Sequence, residues 1–174
     1  MKKIMLDTSV YGRLIEDLDI VEKIGKLVPG EYVIYGTRTI RDELRDTPRK
    51  IRLRERGARM LLLSIYDSFV KKNHHNLQYN KLIDTLARDY FKEYQRQKGS
   101  LSNESMQHDL IIIATATIYQ LDIVVSDDER SMLSGSAVKA YSIVNAKYGL
   151  KNPMFKKYGD FKKEIIRRFS QYGI

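Results

Sequence analysis

The sequence contains no cysteine in its 174 residues. This absence excludes a disulfide framework, thiolate-ligated zinc or iron–sulfur sites, and a cysteine nucleophile. Because disulfide scaffolds belong to oxidising compartments, the composition favours a cytoplasmic protein. Long apolar runs are also absent: no stretch of about 18 apolar residues occurs, and Asp7 follows only three apolar residues near the N-terminus. We therefore expect neither a signal peptide nor a membrane-spanning segment.

Glycine and proline are scarce, with 10 and 3 residues respectively. A chain with so few residues that interrupt regular structure is expected to form long helices and strands and few flexible linkers. Hydrophobic residues make up 43% of the composition, which is enough to bury a core. Length and composition together predict one globular domain that spans residues 1–174.

Positive charge is in excess and unevenly distributed. The chain has 31 Lys and Arg against 22 Asp and Glu; residues 38–59 hold nine basic and four acidic side chains, and residues 147–174 hold eight and two. Basic clusters on a near-neutral body are typical of a surface that meets phosphates, so nucleic acid is the expected partner. Arg49, Arg52 and Arg56 would lie on an expected helix, where they either contact RNA or form an ordinary solvated face.

Short apolar runs and helix signals alternate along the chain. Strands are expected at residues 4–6, 32–35, 122–125 and 138–144, and helices at 37–45, 49–72, 79–97, 104–121 and 160–170. Thr8 or Ser9 could cap a further helix after the first strand. The helix at 104–121 is apolar on nearly all sides, so we expect it to be buried. Strands that alternate with helices predict an α/β fold with a parallel sheet wrapped by helices.

Acidic residues follow two of the predicted strands. Asp7 comes directly after the first strand, and Asp127 and Asp128 come after Ser126 at the end of the third. Ligands bind beyond the carboxyl ends of the strands in open parallel sheets, which makes these acids candidates for a binding site. A lone Asp at a strand end is also a common turn residue or helix cap, but two strands that end in acid point to a shared site.

Two further acids lie in predicted helices. Asp109 lies in the first two turns of the apolar helix, where it either complements the helix dipole or, if buried, needs a partner or a metal ion. Glu43 lies about 60° around its helix from Ile40, so it borders the core rather than pointing into solvent. It could equally pair with Arg38 or Arg41.

Several carboxylates around one cleft raise one another's pKa and need a compensating cation. Mg²⁺ suits such a site because it prefers oxygen ligands, keeps several waters and bridges protein carboxylates to substrate phosphates. Mn²⁺ would fit as well.

The four acids, in this order and in these elements, resemble the site of the PIN-domain nucleases, a family that includes the VapC-type toxins of bacterial and archaeal toxin–antitoxin pairs. The matching segments lie between residues 4 and 130 and are Leu6-Asp7-Thr8-Ser9, Glu43-Leu44, His108-Asp109-Leu110-Ile111-Ile112-Ile113-Ala114-Thr115-Ala116 and Val124-Val125-Ser126-Asp127-Asp128. The resemblance implies a PIN-like three-layer α/β/α sandwich, dependence on Mg²⁺ or Mn²⁺, cleavage of RNA and often a homodimer. It also raises an antitoxin protein as a partner.

The resemblance assigns roles to these acids. Asp7, Glu43, Asp109 and Asp128 would hold one or two metal ions, and activated water would attack phosphorus in line to leave 5′-phosphate and 3′-hydroxyl ends. Ser9 and Ser126 would position water or a phosphate oxygen, or else cap a helix or turn.

The segment after the third strand departs from the family pattern. Family members commonly have Thr-Asn-Asp, a charged residue, a second Asp and Phe, whereas this chain has Ser126-Asp127-Asp128-Glu129-Arg130-Ser131. Asp128 aligns with the first acid of that pattern, and Arg130 takes the place of the second. The sequence leaves open whether Asp127 or Glu129 supplies a further metal contact.

Two other functions fit parts of the pattern. A non-catalytic RNA-binding or assembly module would keep the fold but usually lose acids, and all four acids are present here. A haloacid-dehalogenase-like phosphoaspartyl phosphatase would use Asp7 as its nucleophile. Such enzymes usually carry a second Asp two residues later, and this chain has Ser9 there.

A run of apolar residues bears on the oligomeric state. The run contains more apolar residues than one face of a helix can bury in the core of a single chain. They are Leu61, Leu62, Leu63, Ile65 and Tyr66. Together with the resemblance, they predict a symmetric homodimer.

Overall fold

A computed structural model describes residues 1–27, 30–48, 50–53, 56–72 and 74–171. Its strands are β1 (Lys2–Leu6), β2 (Tyr32–Thr37), β3 (Arg52–Leu53), β4 (Arg56–Gly57), β5 (Asn76–Leu77), β6 (Ile123–Val125) and β7 (Met154–Lys156). Five of them form one parallel sheet in the order β5-β2-β1-β6-β7, and β3 pairs with β4 in a separate antiparallel hairpin. The predicted α/β class with a parallel sheet is confirmed.

Eight α-helices connect and cover these strands in the described part of the chain. They are α1 (Thr8–Leu14), α2 (Leu18–Leu27), α3 (Arg38–Asp46), α4 (Ala58–Tyr66), α5 (Lys81–Arg96), α6 (Asn103–Ile118), α7 (Gly135–Tyr148) and α8 (Tyr158–Gln171). A π-helical turn over Asp67–Lys71 continues α4. No helix in the described part of the chain is long and apolar enough to cross a membrane.

The order of the strands separates the helices into two layers. From β1 the chain moves to β2 and β5 on one side, then returns to β6 and β7 on the other. Because parallel crossovers are right-handed, a reversal of direction places the later crossover helices on the opposite face. Consistent with this, α5 packs against α6 and α7, whereas α4 packs against α1 and α3. The reversal point lies between β1 and β6, which is where a crevice opens in such sheets.

The central strands are buried on both faces, as their uninterrupted apolar sequences predict. Ile4, Met5 and Leu6 of β1 are 0% exposed. The helix predicted at 104–121 is also confirmed as a buried element: Ser102 caps α6 by accepting the Ser105 N–H, and Ile112 is fully buried. The rigid core therefore extends to the residue before Asp7 and along the helix that carries Asp109.

The helix predicted over residues 49–72 is wrong in its first part, because the β3–β4 hairpin precedes α4. The arginine-rich segment has no apolar stripe at helical spacing. Instead, Ile51 and Leu53 alternate with charged residues, which is a strand period. Arg49 lies outside the described residues, and only the backbone of Arg52 and Arg56 is described, so their contact with RNA stays a prediction.

The strand predicted over residues 138–144 is also wrong, because this segment belongs to α7. Ala137, Ala140, Tyr141 and Val144 are buried at a spacing of three and four residues, which is the period of a helix. The strand that extends the sheet beyond β6 is instead β7, which follows Pro153 and pairs with β6 in parallel.

Much of the basic charge after residue 147 is paired within the chain. Lys156 pairs with Glu164, Lys157 with Glu129 and Lys162 with Asp17. Arg168 pairs with Glu31 at 2.7 Å. These ion pairs fasten α8 to the body of the protein and compensate part of the positive charge in this segment. Contact of the segment with phosphates stays a prediction.

The apolar residues that predicted a dimer are used largely within this chain. Leu62, Ile65 and Tyr66 are buried in the core, and Leu61 and Leu63 pack against it while half-buried. Their number therefore does not require a partner, and the homodimer stays a prediction that depends on the family resemblance.

A close approach of two elements gives a test of this packing. Gly36 lies under the Tyr66 side chain, and a Cβ added there would come within 2.4 Å of the Tyr66 hydroxyl oxygen. That hydroxyl donates to the Thr37 carbonyl at 2.9 Å, so the ring cannot move away freely. We expect Gly36→Ala to lower the free energy of unfolding by about 1–3 kcal/mol, or the melting temperature by roughly 2–4 °C per kcal/mol.

The matched control is Gly25→Ala on the exposed side of α2, where an added Cβ meets nothing within 4 Å. There the substitution should raise the free energy of unfolding by roughly 0.5–1 kcal/mol, because alanine favours helix more than glycine does. Urea unfolding of both variants measures the difference. Equal effects of the two substitutions would contradict the close contact between Gly36 and Tyr66.

Candidate functional site

A cleft of about 750 Å³ opens at the carboxyl ends of β1 and β6, the reversal point of the sheet. The walls come from α1, α3, α4 and α6. Asp7, Glu43, Asp109 and Asp128 all line it. The structure therefore brings together the four acids that the sequence singled out, although they come from distant parts of the chain.

Asp7 is held between the ends of the two central strands. Its backbone N–H donates to the Val125 carbonyl at 2.9 Å, which continues the pairing of β1 with β6. Its side chain is buried, and Oδ2 accepts hydrogen bonds from Ser9 Oγ at 2.8 Å and Ser126 Oγ at 2.9 Å. The residue at the N-cap position of α1 is Asp7 itself, so the prediction that Thr8 or Ser9 caps this helix is wrong. The Asp7 side chain makes no capping bond and stays directed towards the hydroxyls.

The two serines shape the turn after β6 as well as orienting Asp7. Ser9 Oγ accepts the Asp127 N–H at 3.1 Å, and Ser126 Oγ accepts the Asp128 N–H at 3.0 Å. Ser126 is 0% exposed. Its hydroxyl therefore acts on the site through Asp7 and the backbone of the turn.

Ser131 joins the carboxylates of Asp109 and Asp128. Its hydroxyl lies 2.6 Å from Asp128 Oδ2 and also contacts Asp109 Oδ2. A hydroxyl has one proton and can donate to one carboxylate at a time, so the other needs a proton or a cation. Sequence reasoning missed Ser131; the available signal was its position three residues after Asp128, where its N–H donates back to Asp128 Oδ1 at 3.0 Å.

The protonation of Asp109 reflects this crowding. Burial raises the pKa of Asp109, the hydrogen bond from Ser131 lowers it, and the negative charges of Asp7, Asp128 and Glu43 raise it further, which leaves it at about 7. Asp128 behaves in the opposite way: burial raises its pKa, but hydrogen bonds from Ser131 and from the Arg130 backbone hold it below the usual value. Near neutral pH, Asp109 is therefore the acid of this pair that takes up a proton, and Asp128 stays ionised.

Glu43 borders the core, as its helical position predicts, and lies next to the buried Ile40. Its partner is His108, whose Nδ1 lies 2.6 Å from Glu43 Oε1, rather than Arg38 or Arg41. Burial raises the pKa of Glu43, the histidine opposes that shift, and the charge of Asp7 adds to it. Sequence reasoning did not predict this pairing, because the two residues come from different helices.

Asp127 and Glu129 point away from the cleft. Asp127 Oδ1 accepts the Tyr158 N–H at the start of α8 at 2.9 Å, and its Oδ2 lies 3.2 Å from Arg13 Nε. Glu129 pairs with Lys157. Because neighbouring residues in extended chain point to opposite sides, Asp128 faces the cleft and Asp127 faces α8.

The carboxylate oxygens of the cleft are of the type that hard cations prefer, although they do not surround a complete metal site. Among the described residues, no three acidic or histidine side chains are grouped closely enough to hold a metal ion by themselves. Mg²⁺ is commonly held by one or two carboxylates together with waters and substrate phosphates, so it does not need such a cage. The carboxylates are therefore the kind of oxygen donors that Mg²⁺ prefers, but among the described residues they do not form a complete ligand set.

Comparison with known proteins supports the fold. No protein-family model matches the sequence, and no curated protein sequence does. Among solved structures, a chain of VapBC-1 from nontypeable Haemophilus influenzae is similar, with a TM-score of 0.57 over 90% of this chain and 98% of that chain. The two sequences are 14% identical, so the likeness concerns the fold. It agrees with the PIN-like α/β/α arrangement expected from the sequence.

The Asp109 cluster predicts a particular dependence of stability on pH. An aspartate has a pKa of about 3.9 when unfolded, against about 7 here. Between these values the folded state binds more protons than the unfolded state, so this residue lowers stability as pH rises from 4 to 7. We expect Asp109→Asn to be more stable than the wild type at pH 8, by an amount on the order of 2–4 kcal/mol.

That difference should shrink towards pH 4.5, because there the wild-type carboxyl keeps its proton. Urea unfolding in a metal-free buffer with EDTA measures it at both pH values. Glu104→Gln, an exposed acid in the first turn of the same helix, is the control. A gap between wild type and Asp109→Asn that is the same at both pH values would contradict the raised pKa.

Proposed function

We propose that this protein is a divalent-metal-dependent endoribonuclease that hydrolyses RNA phosphodiester bonds through Asp7, Glu43, Asp109 and Asp128. The observation that supports this most is the arrangement of four carboxylates around one cleft, where the pKa of Asp109 is raised to about 7 by burial and by the other three acids. Such a cluster is relieved by a cation, and Mg²⁺ or Mn²⁺ matches its oxygen donors.

Each acid has a defined position in the proposed reaction. Asp7 is fixed by two serine hydroxyls, Asp128 by Ser131, and Glu43 by His108. When bound, Mg²⁺ or Mn²⁺ would activate water and neutralise charge on the phosphate. The water oxygen would add to phosphorus in line while the bond to the 3′-oxygen breaks, which leaves 5′-phosphate and 3′-hydroxyl ends. Ser9 and Ser126 serve this reaction by orienting Asp7.

The proposal extends to partners. The resemblance of the sequence to PIN-domain nucleases and the likeness in fold to VapBC-1 support the toxin of a toxin–antitoxin pair, with an antitoxin protein, a homodimeric state and a cytoplasmic location. For RNA, Arg49, Arg52 and Arg56 are the proposed phosphate contacts. Thr47 and Ala58, which lie on either side of them in the sequence, line the cleft.

A non-catalytic RNA-binding module remains the second candidate, since the described residues contain no ready group of three metal ligands. This module would bind RNA without metal-dependent cleavage. A phosphoaspartyl phosphatase is less well supported. Asp7 is 3% exposed, and one of its carboxylate oxygens already accepts two hydrogen bonds, which leaves it poorly placed as a nucleophile.

Metal binding is expected to stabilise the protein. An ion at about 100 times its dissociation constant adds roughly 2.7 kcal/mol, and a chain of this size gains about 2–4 °C per kcal/mol. We therefore expect millimolar Mn²⁺ to raise the melting temperature by several degrees in the wild type and much less in Asp7→Asn. The same pair of proteins should differ in Mn²⁺-dependent cleavage of mixed RNA. RNA binding without cleavage by the wild type, together with no shift in melting temperature, would favour the non-catalytic module.

The neighbours Asp127 and Asp128 provide a matched pair of substitutions. Asp128→Asn removes an acid that lines the cleft and should reduce cleavage by at least about 100-fold. Asp127→Asn weakens contacts to Arg13 and to the start of α8, and should change cleavage by no more than a few-fold. An exposed ion pair of this kind contributes about 1 kcal/mol or less. Initial rates on 5′-labelled RNA measure both variants, and the reverse order of activities would refute the assignment of Asp128.

A further inference from the structure

A second cavity, of about 200 Å³, is lined in part by α3 and α6, the helices that also contribute to the acidic cleft. It is bounded by the first residues of α3, by the segment that follows β5 and by one side of α6. Its lining includes Arg38, Thr39, Gln78, Tyr79 and Ile111. None of these residues belongs to the four-acid site.

The same two helices carry both cavities. On α3, Thr39 lies one helical turn before Glu43, about 6 Å along the axis. On α6, Ile111 lies one turn after His108, about 4.5 Å along the axis. His108 and Glu43 line the acidic cleft. If one phosphate of a nucleotide chain lies at the four acids, the adjacent nucleotide can therefore reach the second cavity.

Tyr79 presents an exposed aromatic ring at this place. The side chain is 58% exposed, and partial burial together with the nearby Asp84 carboxylate raises the pKa of its hydroxyl. The segment around it is held as well: Tyr119 donates to the Gln78 carbonyl at 2.9 Å, and Asn80 caps α5. An exposed aromatic ring on a segment that is held in this way can serve as a platform for stacking a nucleobase.

Arg38 supplies the positive charge of the cavity. Its side chain is 87% exposed, and its described contact is a 3.4 Å ion pair with Asp42 on the same helix. Exposed pairs of this kind are weak and are easily exchanged for a phosphate. The arginine therefore remains able to bind a phosphate beside the stacked base.

We propose that this second cavity binds the nucleotide next to the one being cleaved, with its base stacked on Tyr79 and its phosphate bound by Arg38. This inference rests on the proposed function, because it takes single-stranded RNA as the ligand. Stacking accepts any base, so the site adds affinity and fixes the path of the strand without demanding a particular sequence.

Fluorescence anisotropy with labelled oligouridine tests the proposal, with a ribose-phosphate oligomer of equal length that lacks bases as the second probe. Ca²⁺ replaces Mn²⁺ in order to neutralise the acids during the measurement. Tyr79→Ala should weaken binding of oligouridine about tenfold, since stacking contributes roughly 1–3 kcal/mol per base. It should leave the abasic oligomer unaffected, and Tyr79→Phe, which keeps the ring, should stay within about twofold of the wild type. Arg38→Gln should weaken binding of both probes and flatten the dependence on salt.

Tyr148→Ala is the matched control. Tyr148 is likewise exposed, but it lies on α7, where its hydroxyl donates to Asp89. This variant should bind both probes like the wild type. Two results would show that the second cavity is not a stacking site, while the proposed nuclease function stands. In the first, Tyr79→Ala binds oligouridine as well as the wild type does. In the second, Tyr79→Ala loses affinity for the abasic oligomer to the same degree as for oligouridine. If the wild type binds neither probe, both proposals fail.

Discussion

The hydrogen bonds that join Asp7 to the end of β6 are the constraint on which the rest of the site depends. β1 and β6 pair in parallel up to Leu6 and Val125. The next residue of β1, Asp7, lines the cleft, and the residue after β6, Ser126, is buried beside it. There Ser126 donates to the Asp7 carboxylate and accepts the N–H of Asp128. A buried carboxylate is stable only if its acceptors are satisfied. The serine hydroxyls meet that need and at the same time set the direction of the turn that carries Asp128.

The parts of the fold that follow from local patterns could be predicted from the sequence. Continuous apolar runs indicated β1 and β6, and the near-uniform apolar character of α6 indicated its burial. The position of Glu43 beside Ile40 followed from helical geometry. Segment 138–144 was misjudged because Val138, Ala140 and Val144 also suit a strand, and only the full stripe of small and aromatic residues on α7 favours a helix.

Contacts between distant segments could not be predicted in this way. His108 was visible in the sequence, yet nothing local indicated that it would bond Glu43. The ion pairs of the basic C-terminal segment could not be predicted for the same reason. Several lysine and arginine side chains after residue 147 pair with Asp17, Glu31 and Glu129, which lie in other segments of the chain. Composition counts charges along the chain, whereas binding depends on which of them remain uncompensated once the chain is folded.

The contacts of Asp127 and Glu129 hold the turn after β6 against the start of α8. Asp127 accepts the first N–H of that helix, and Glu129 pairs with Lys157 just before it. The turn that presents Asp128 is thus anchored from behind by the C-terminal helix, which itself contributes no acid to the cleft. A chain cut before Tyr158 would retain all four acids but lose the helix that contacts the turn carrying Asp128. The four acids are thus spread over the first 128 residues, while part of the support for their cleft comes from the last helix of the chain.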